Sequence, residues 1–467
     1  MASKMDFETR AADAGQVFAI GIGECGCNLV GSFLARNRPG ESDEEGFPQR
    51  VREYLLLNTD RGDLSATRSK YSIPSRKTLL YGNVDIGVGG KFMEGYQSVK
   101  AAKVEILNQL QTLGYEGVSG FVIFTSLGGG TGCGGTPALI ETLRERFEKE
   151  EGRKIFIYCF GVLPFSGQSS EAVNSVWALS KLLRNQLEGG LGPDLILLLS
   201  NRTMLNRIMS WRRGEAVDFL ERKLGADIAD ISSVARKQEV HDAKMEAAFT
   251  ELVNPLALET IETMLSPGVF EQGKEVYPTT DLADYSRRLD SIVVPSLFSD
   301  LAIFPEVGDL ESQFKTAVEY TVKKCSLTEM GSNPQAESVY AVLSGPRSIS
   351  RLEHGPFLRE GVTPYVAKGA SMQPTFVSYT DDPEFRTSSL LLLFGLPKIP
   401  EIKSVIDEAK ALIALHDSGS ALKEHWFLRS KGIEKDLLKA SVVDLEQLFG
   451  HYMTDTPSSV SKSKEGN

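Results

Sequence analysis

The amino-acid sequence predicts an α/β chain with a mostly parallel sheet flanked by helices, a long central helix and a smaller α/β second domain. Short runs rich in β-branched, leucine and aromatic residues alternate with segments whose apolar residues recur at helical spacing, the rhythm of β-α-β units. Several of the strand-to-helix junctions are rich in glycine, and such junctions are where a parallel sheet carries its ligand loops. At 467 residues, 41% hydrophobic and 24% charged, the chain has length for two or three domains and a large core.

Composition narrows the function. A net charge of −11 argues against nonspecific attraction to nucleic acid or anionic lipid, which needs clustered Lys and Arg. The five cysteines, Cys25, Cys27, Cys133, Cys159 and Cys325, are odd in number and form no C-x-x-C pairs. A reducing, cytoplasmic setting is the expectation. With no basic-then-apolar leader and no apolar run near about 18 residues, direct membrane insertion is not expected.

In chain order, Val17 to Ile22 reads as a strand, and Gly21 to Gly26 (GIGECG) opens a helix carrying Leu29, Val30, Phe33 and Leu34. The pattern is formally the GxGxxG dinucleotide fingerprint. That fingerprint expects an acid about 20 positions on, which falls in the polar loop 40–46, so the reading as an NAD-dependent oxidoreductase loses ground. The next strand, Tyr54 to Asn58, is followed by Asp60, either a plain helix cap or a ligand-facing acid. Asp85 to Lys91 (DIGVGGK) is a second glycine cluster, with neither the spacer nor the Ser/Thr of a Walker loop, and reads as a flexible turn or a phosphate loop.

The sharpest stretch is Phe121 to Phe147. A buried strand, Phe121 to Thr125, meets Gly128 to Gly135, where six of eight residues are glycine. Pro137 suits a first helical turn, with Leu139, Ile140, Leu143 and Phe147 at helical spacing beyond it. Backbone N–H groups of such a loop, added to a helix N-terminus, make a seat for a phosphate chain. Ile155 to Leu163 is another strand, ended by Pro164. After it Glu171 and Asn174 stand one helical turn apart, as solvated surface or as a pair pointing into one site. Asp194 to Ser200 is a further strand with Asn201 directly behind it. Phe249 to Leu265 reads as a long apolar helix containing Asn254, which a core hydrogen bond or a base edge would satisfy. Asp281 and Asp284 make a D-x-x-D, which at a helix start is commonly a cap. A helix over Leu310 to Lys324, strands at Ser338 to Ser344 and Ser389 to Phe394, and a helix through Ile402 to Ile413 build the smaller unit. An amphipathic helix through Leu438, Val442, Leu445 and Phe449 precedes a Ser- and Lys-rich end expected to be disordered.

Several of these segments, in this order, resemble the tubulin/FtsZ superfamily of GTPases, nearest to its archaeal CetZ branch, over roughly residues 15 to 415. Ser126 to Gly134 resembles the GGGTGSG signature with Cys133 where serine is usual. GIGECGCNLV resembles the glycine-rich openings of tubulins and FtsZ, Asn58-Thr59-Asp60 the NTD segment, and Asp281 to Asp284 the NVDFAD loop. Glu337 to Arg351 and YCFGVLP resemble CetZ segments.

The resemblance implies a Rossmann-like GTPase domain (15–245), a central helix and catalytic loop (246–285), a second or activation domain (286–415), and a C-terminal helix and tail (416–467). It implies GTP or GDP with Mg2+ as ligands. Gly23, Glu24, Cys25, Asn28, Asp60, Gly87, Gly89, Gly90, Ser126, Gly128, Gly129, Gly130, Thr131 and Gly132 would surround the phosphates. Glu171 and Asn174 would hold the ribose, and Asn201 and Asn254 would read guanine. Glu24, an acid where tubulins carry Gln, and Asp60 would face the metal. Asp284, then Asp281, would orient the attacking water on the nucleotide of the next subunit. The implied product is a head-to-tail homopolymer serving cell shape or division; a GTP-binding scaffold without turnover is the other reading. The last helix would pack on the body, join filaments or bind an adaptor.

Overall fold

The computed structural model describes residues 16–36, 51–82, 86–165, 169–188, 190–210, 243–265, 282–289, 292–299, 309–331, 333–344, 355–368, 389–417 and 435–453. Asp281, Asp85, the loop 40–46 and the Ser- and Lys-rich end lie outside the described residues.

β1 (Val17–Ile22) is apolar on both faces and wholly buried, as a central parallel strand must be. It runs directly into α1 (Gly23–Arg36), and the chain continues through β2 (Val51–Asn58), α2 (Arg61–Tyr71), β3 (Thr78–Leu80), α3 (Phe92–Ala101) and α4 (Lys103–Thr112). Next come β4 (Gly120–Ser126), α5 (Gly130–Arg144) with a π-helical extension over Glu145–Glu150, β5 (Phe156–Leu163), α6 (Ser169–Glu188), β6 (Leu195–Ser200) and α7 (Asn201–Ser210). The long α8 (Ala243–Leu265) and short α9 (Ala283–Arg288) lead to β7 (Ile292–Ser299), α10 (Leu310–Lys324), β8 (Ser338–Ser344), α11 (Gly355–Val362), β9 (Ser389–Gly395), α12 (Pro400–Asp417) and α13 (Lys435–Met453).

Among the described residues the strands form one sheet in the order β3-β2-β1-β4-β5-β6-β7-β9-β8. Pairing is parallel from β3 through β7 and antiparallel across β7, β9 and β8. Alternation along β1 sends Phe18, Ile20 and Ile22 into one core, with Phe92 of α3, Leu139 of α5 and Trp177 of α6. Val17 and Ala19 go to the other, with Phe33 of α1, Ile261 of α8 and Tyr285 of α9. The expected mostly parallel α/β architecture with a long helix is thus what the chain adopts.

Three local expectations change. The helix after β4 begins at Gly130, so Pro137 lies inside it rather than in its first turn. The glycines therefore do two jobs. Those at the start line a cleft, while Gly134 lets α3 approach: a Cβ there would stand 2.0 Å from the Phe92 carbonyl oxygen. The central helix starts at Ala243, ahead of Phe249. β7, with Pro295 inside it, is not legible as a strand because Pro argues against a central strand. Only Ile292 and Val293 pair with β6, so Pro295 lies past the point where that neighbour needs its N–H.

α13 settles on the body. Leu438, Val442 and Leu445 are buried, and ion pairs join Arg184 of α6 to Asp444 and Lys410 of α12 to Glu446. Among the described residues no helix is long and apolar enough to cross a membrane.

Candidate functional site

A cleft of about 790 Å³ opens where the parallel strands end and their helices begin. Helix N-termini face it. α5 makes its first bond from the Cys133 N–H to the Gly129 carbonyl at 3.3 Å, so the preceding N–H groups of Gly130, Thr131 and Gly132 belong to the turn that a helix cannot satisfy internally. All three residues line the cleft, with Ser126 and Gly129. α1 contributes Gly23, Glu24, Cys25 and Asn28, and α7 starts at Asn201 on the same wall. Dipoles of these helices bring positive potential where an anion would sit.

The second glycine cluster closes the cleft from above. Gly87, Gly89 and Gly90 have φ of 76°, 59° and 74°, a left-handed region that side chains disfavour, and all three line the cavity. The Gly87 N–H donates to the Thr59 carbonyl at 3.1 Å, and the Thr59 and Thr131 hydroxyls meet at 2.7 Å. Thus the end of β2 ties both glycine turns together.

Asp60 caps a helix and also lines the cleft. Its carboxylate caps α2 by accepting from the Asp63 N–H at 3.0 Å. Asn28 is oriented by the Thr67 hydroxyl, which donates to its Oδ1 at 3.0 Å. Glu171 at the start of α6, and Asn201 and Asn254 on α7 and α8, complete the predicted set.

Two predicted residues do other work. The Asn174 side chain is buried, and its amide nitrogen donates to the carbonyls of Gly90 at 2.9 Å and Gly128 at 2.8 Å. It clasps the two glycine turns to each other, and it does not reach the cleft wall with Glu171. Gly128 is likewise turned away, its N–H donating to the Ser126 hydroxyl at 3.2 Å and its carbonyl held by Asn174. Sequence reasoning missed the inner face of α2, where Asp63, Thr67, Lys70 and Tyr71 line the cavity. Counted from the cap at Asp60, these fall at the spacings of one helix face, which was the available signal.

Burial, with neighbouring acids second, sets the electrostatics of Cys25 and Asp63. Burial, then the charges of Glu24 and Glu171, push the Cys25 thiol up to about 12. Burial first and the neighbouring Asp60 second raise the Asp63 carboxyl above its usual range. Among the described residues no group of three or more His, Cys, Asp or Glu gathers to hold a metal by protein alone. Paired carboxylates at Asp60 and Asp63 suit instead a hard cation that takes its remaining ligands from phosphate and water.

Asp284 is elsewhere. It lies in the first turn of α9, pairs with Arg287 at 3.4 Å, and its side chain keeps 21% of its exposure. Tyr158, near the N-terminal end of β5, bonds the Leu282 carbonyl next to that turn, whereas the cleft begins past the other end of β5, at Pro164. The six to eight residues of these strands span about 20–25 Å. Asp284 and the cleft are at opposite ends of the parallel strands.

With that geometry in hand, comparison is informative. The family model described as Tubulin/FtsZ family, GTPase domain, matches residues 16–208, the span that supplies every wall of the cleft except Asn254. The CetZ protein of Pyrococcus abyssi is 28% identical over 168 residues, 35% of this chain, and the match spans only 40% of that relative. CetZ3 of Haloferax volcanii is 24% identical over 413 residues, covering 86% of this chain and 94% of its own. The structure of CetZ2 from Haloferax volcanii, a GTPγS-bound protofilament, superposes with a TM-score of 0.61 at 18% identity, over 86% of this chain and 99% of that one. Glycine turns joined by Thr59 and Asn174 and a sequence match across the cleft agree: residues 16–208 match the GTPase domain of the Tubulin/FtsZ family, and the chain is similar to CetZ proteins in sequence and in fold.

Proposed function

We propose that this chain binds GTP in the cleft and hydrolyses it only when copies stack head to tail, each supplying Asp284 to the nucleotide of its neighbour. The observation that carries the reading is the separation of Asp284 from its own chain's cleft, by a strand length, with its carboxylate still partly exposed. A half-site at each pole is complete only across a contact. Because that contact joins unlike surfaces, it does not close on itself and extends into filaments. The protofilament form of CetZ2 and the family's GTPase domain support the same conclusion.

In this reading the N–H groups of Gly130, Thr131 and Gly132 cradle phosphate oxygens, Gly87 to Gly90 close over the terminal phosphate, and Glu171 faces the ribose. Asn201 and Asn254 read guanine, since amides can donate to and accept from its edge. Magnesium, held by Asp60 with Asp63 and Glu24 nearby, would neutralise phosphate charge. Asp284 of the stacked copy, with Asp281 preceding it, orients a water and takes its proton as the water bonds to the γ-phosphorus and the bridging oxygen departs with GDP. Such catalysis is mainly positioning and electrostatics.

The test is phosphate release from GTP against protein concentration, with pelleting alongside. Release that climbs steeply above a threshold concentration is expected. Release strictly proportional to protein would refute the shared site, and GTP-dependent pelleting without release would identify a scaffold instead.

A further inference from the structure

Behind the base-reading end of the cleft lies a carboxylate that the hydrolysis above does not use. We propose that Glu401 is a positioning residue for Asn201, so that preference for guanine depends on a helix that does not line the cleft. The proposal rests on the nucleotide reading given under Proposed function.

Glu401, in the first turn of α12, is 3% exposed. Its Oε1 accepts from the Ser200 hydroxyl at 2.7 Å and lies 3.2 Å from the Arg202 guanidinium. Its Oε2 accepts from the Thr203 hydroxyl at 3.2 Å. The residue before Asn201 and the two after it are therefore all fastened to one carboxylate. Ser200 also caps α7, its oxygen accepting from the Thr203 N–H at 3.2 Å, so the cap itself is oriented by Glu401. A buried carboxylate is costly unless paired and hydrogen-bonded. Here two hydroxyls and a guanidinium supply those partners.

Asn201 is the first residue of α7 and lines the cleft. An amide that reads a base edge must be held to a fraction of an ångström, and a helix start is ordinarily the part that frays. Clamping the backbone on both sides of Asn201 removes that freedom while keeping the side chain clear. α12 also packs on α6, whose first turn carries Glu171. The base and ribose ends of the cleft thereby share one support.

The experiment compares equilibrium binding of GTP and inosine triphosphate, which lacks the exocyclic amino group, to the full chain and to Glu401→Gln, Glu401→Ala and Asn201→Ala, with thermal melts of each. Loss of the clamp should lower the preference for GTP roughly tenfold in Glu401→Ala, the worth of about one hydrogen bond, and less in Glu401→Gln, which keeps the shape. If Glu401→Ala does not fold, Glu401→Gln decides. Lower melting temperature with both triphosphates weakened equally would overturn the proposal, because that is what a merely structural role gives. Should Asn201→Ala lose the preference while the Glu401 variants keep it, the positioning role alone fails. Should Asn201→Ala keep it, the base assignment fails and the proposal with it. Wild-type protein that binds neither triphosphate would remove the nucleotide reading and this proposal together.

Discussion

At the C-terminal ends of its parallel strands this chain builds a cleft from glycine and helix N-termini; at the N-terminal ends it presents Asp284, paired with Arg287 on a short helix. The first is a binding surface made mostly of backbone, held by side chains such as Thr59, Thr131 and Asn174. The second is a single carboxylate paired with Arg287, its side chain still partly exposed. In the proposed function neither end is a complete hydrolytic site. The contrast teaches that parallel strands can hold two groups apart by their own length, so that, on that proposal, stacking of copies would bring them together.

The comparison breaks most sharply at Asp284. Asp284→Ala should bind GTP as the parent does and lose phosphate release by about 10²–10⁴-fold, the range for removing a positioned acid-base group. Undiminished release in a coupled phosphate assay would sink the divided site.

Behind the cleft, further along the helix α5 whose start lines it, lies a buried acid, Glu141. Burial alone would raise the Glu141 carboxyl, yet hydrogen bonds from Lys100, Tyr96 and Asn185 outweigh it and hold it down to about 2. A depressed folded pKa contributes stability that is present above the ordinary value near 4.5 and is lost as pH falls toward about 2. Urea unfolding at about pH 5 and about pH 3 should show the parent losing about 2 kcal/mol from this group, and Glu141→Gln less. Equal acid sensitivity of the two proteins would mean that the network joining α3, α5 and α6 does not depend on the charge.

A smaller effect is expected at Gly134→Ala, where the new methyl meets the Phe92 carbonyl and α3 must shift. Overpacking of this kind costs about 1–3 kcal/mol, read as a lower denaturation midpoint without nucleotide. An unchanged midpoint would show that α3 and α5 are not packed backbone to backbone.

The smallest concerns the clasp. Asn174→Ala leaves two carbonyls without their donor and should weaken GTP binding about tenfold, while the preference for GTP over 2′-deoxy-GTP stays as in the parent. Loss of that preference would return Asn174 to the ribose role expected from sequence.

How much was legible depended on whether a residue's job is local. The glycine turns at 21–26 and 128–135 could be found because strand, turn and helix are contiguous and their chemistry is short-ranged. Their division of labour could not, since only the approach of α3 shows Gly134 to be a packing residue. Asn174 was visible as a polar residue one turn from Glu171, but its partners at Gly90 and Gly128 lie 84 and 46 residues away. The inner face of α2 was missed although its spacing is helical, because Asp60 fitted a cap well enough to end the reading there. β7 escaped through Pro295, whose lack of an N–H matters only where a neighbour would use it.

By itself the sequence determined the α/β alternation, the glycine turns and the order of segments that resembles the tubulin/FtsZ superfamily, because periodicity and turn chemistry are properties of adjacent residues. Only the tertiary structure decided that Asp60 both caps a helix and faces the cleft, that Glu401 holds the start of α7, and that Asp284 stands a strand length from the nucleotide walls. Those facts depend on which strands lie side by side and which way they run, and a parallel sheet fixes both through pairings between residues far apart in the chain.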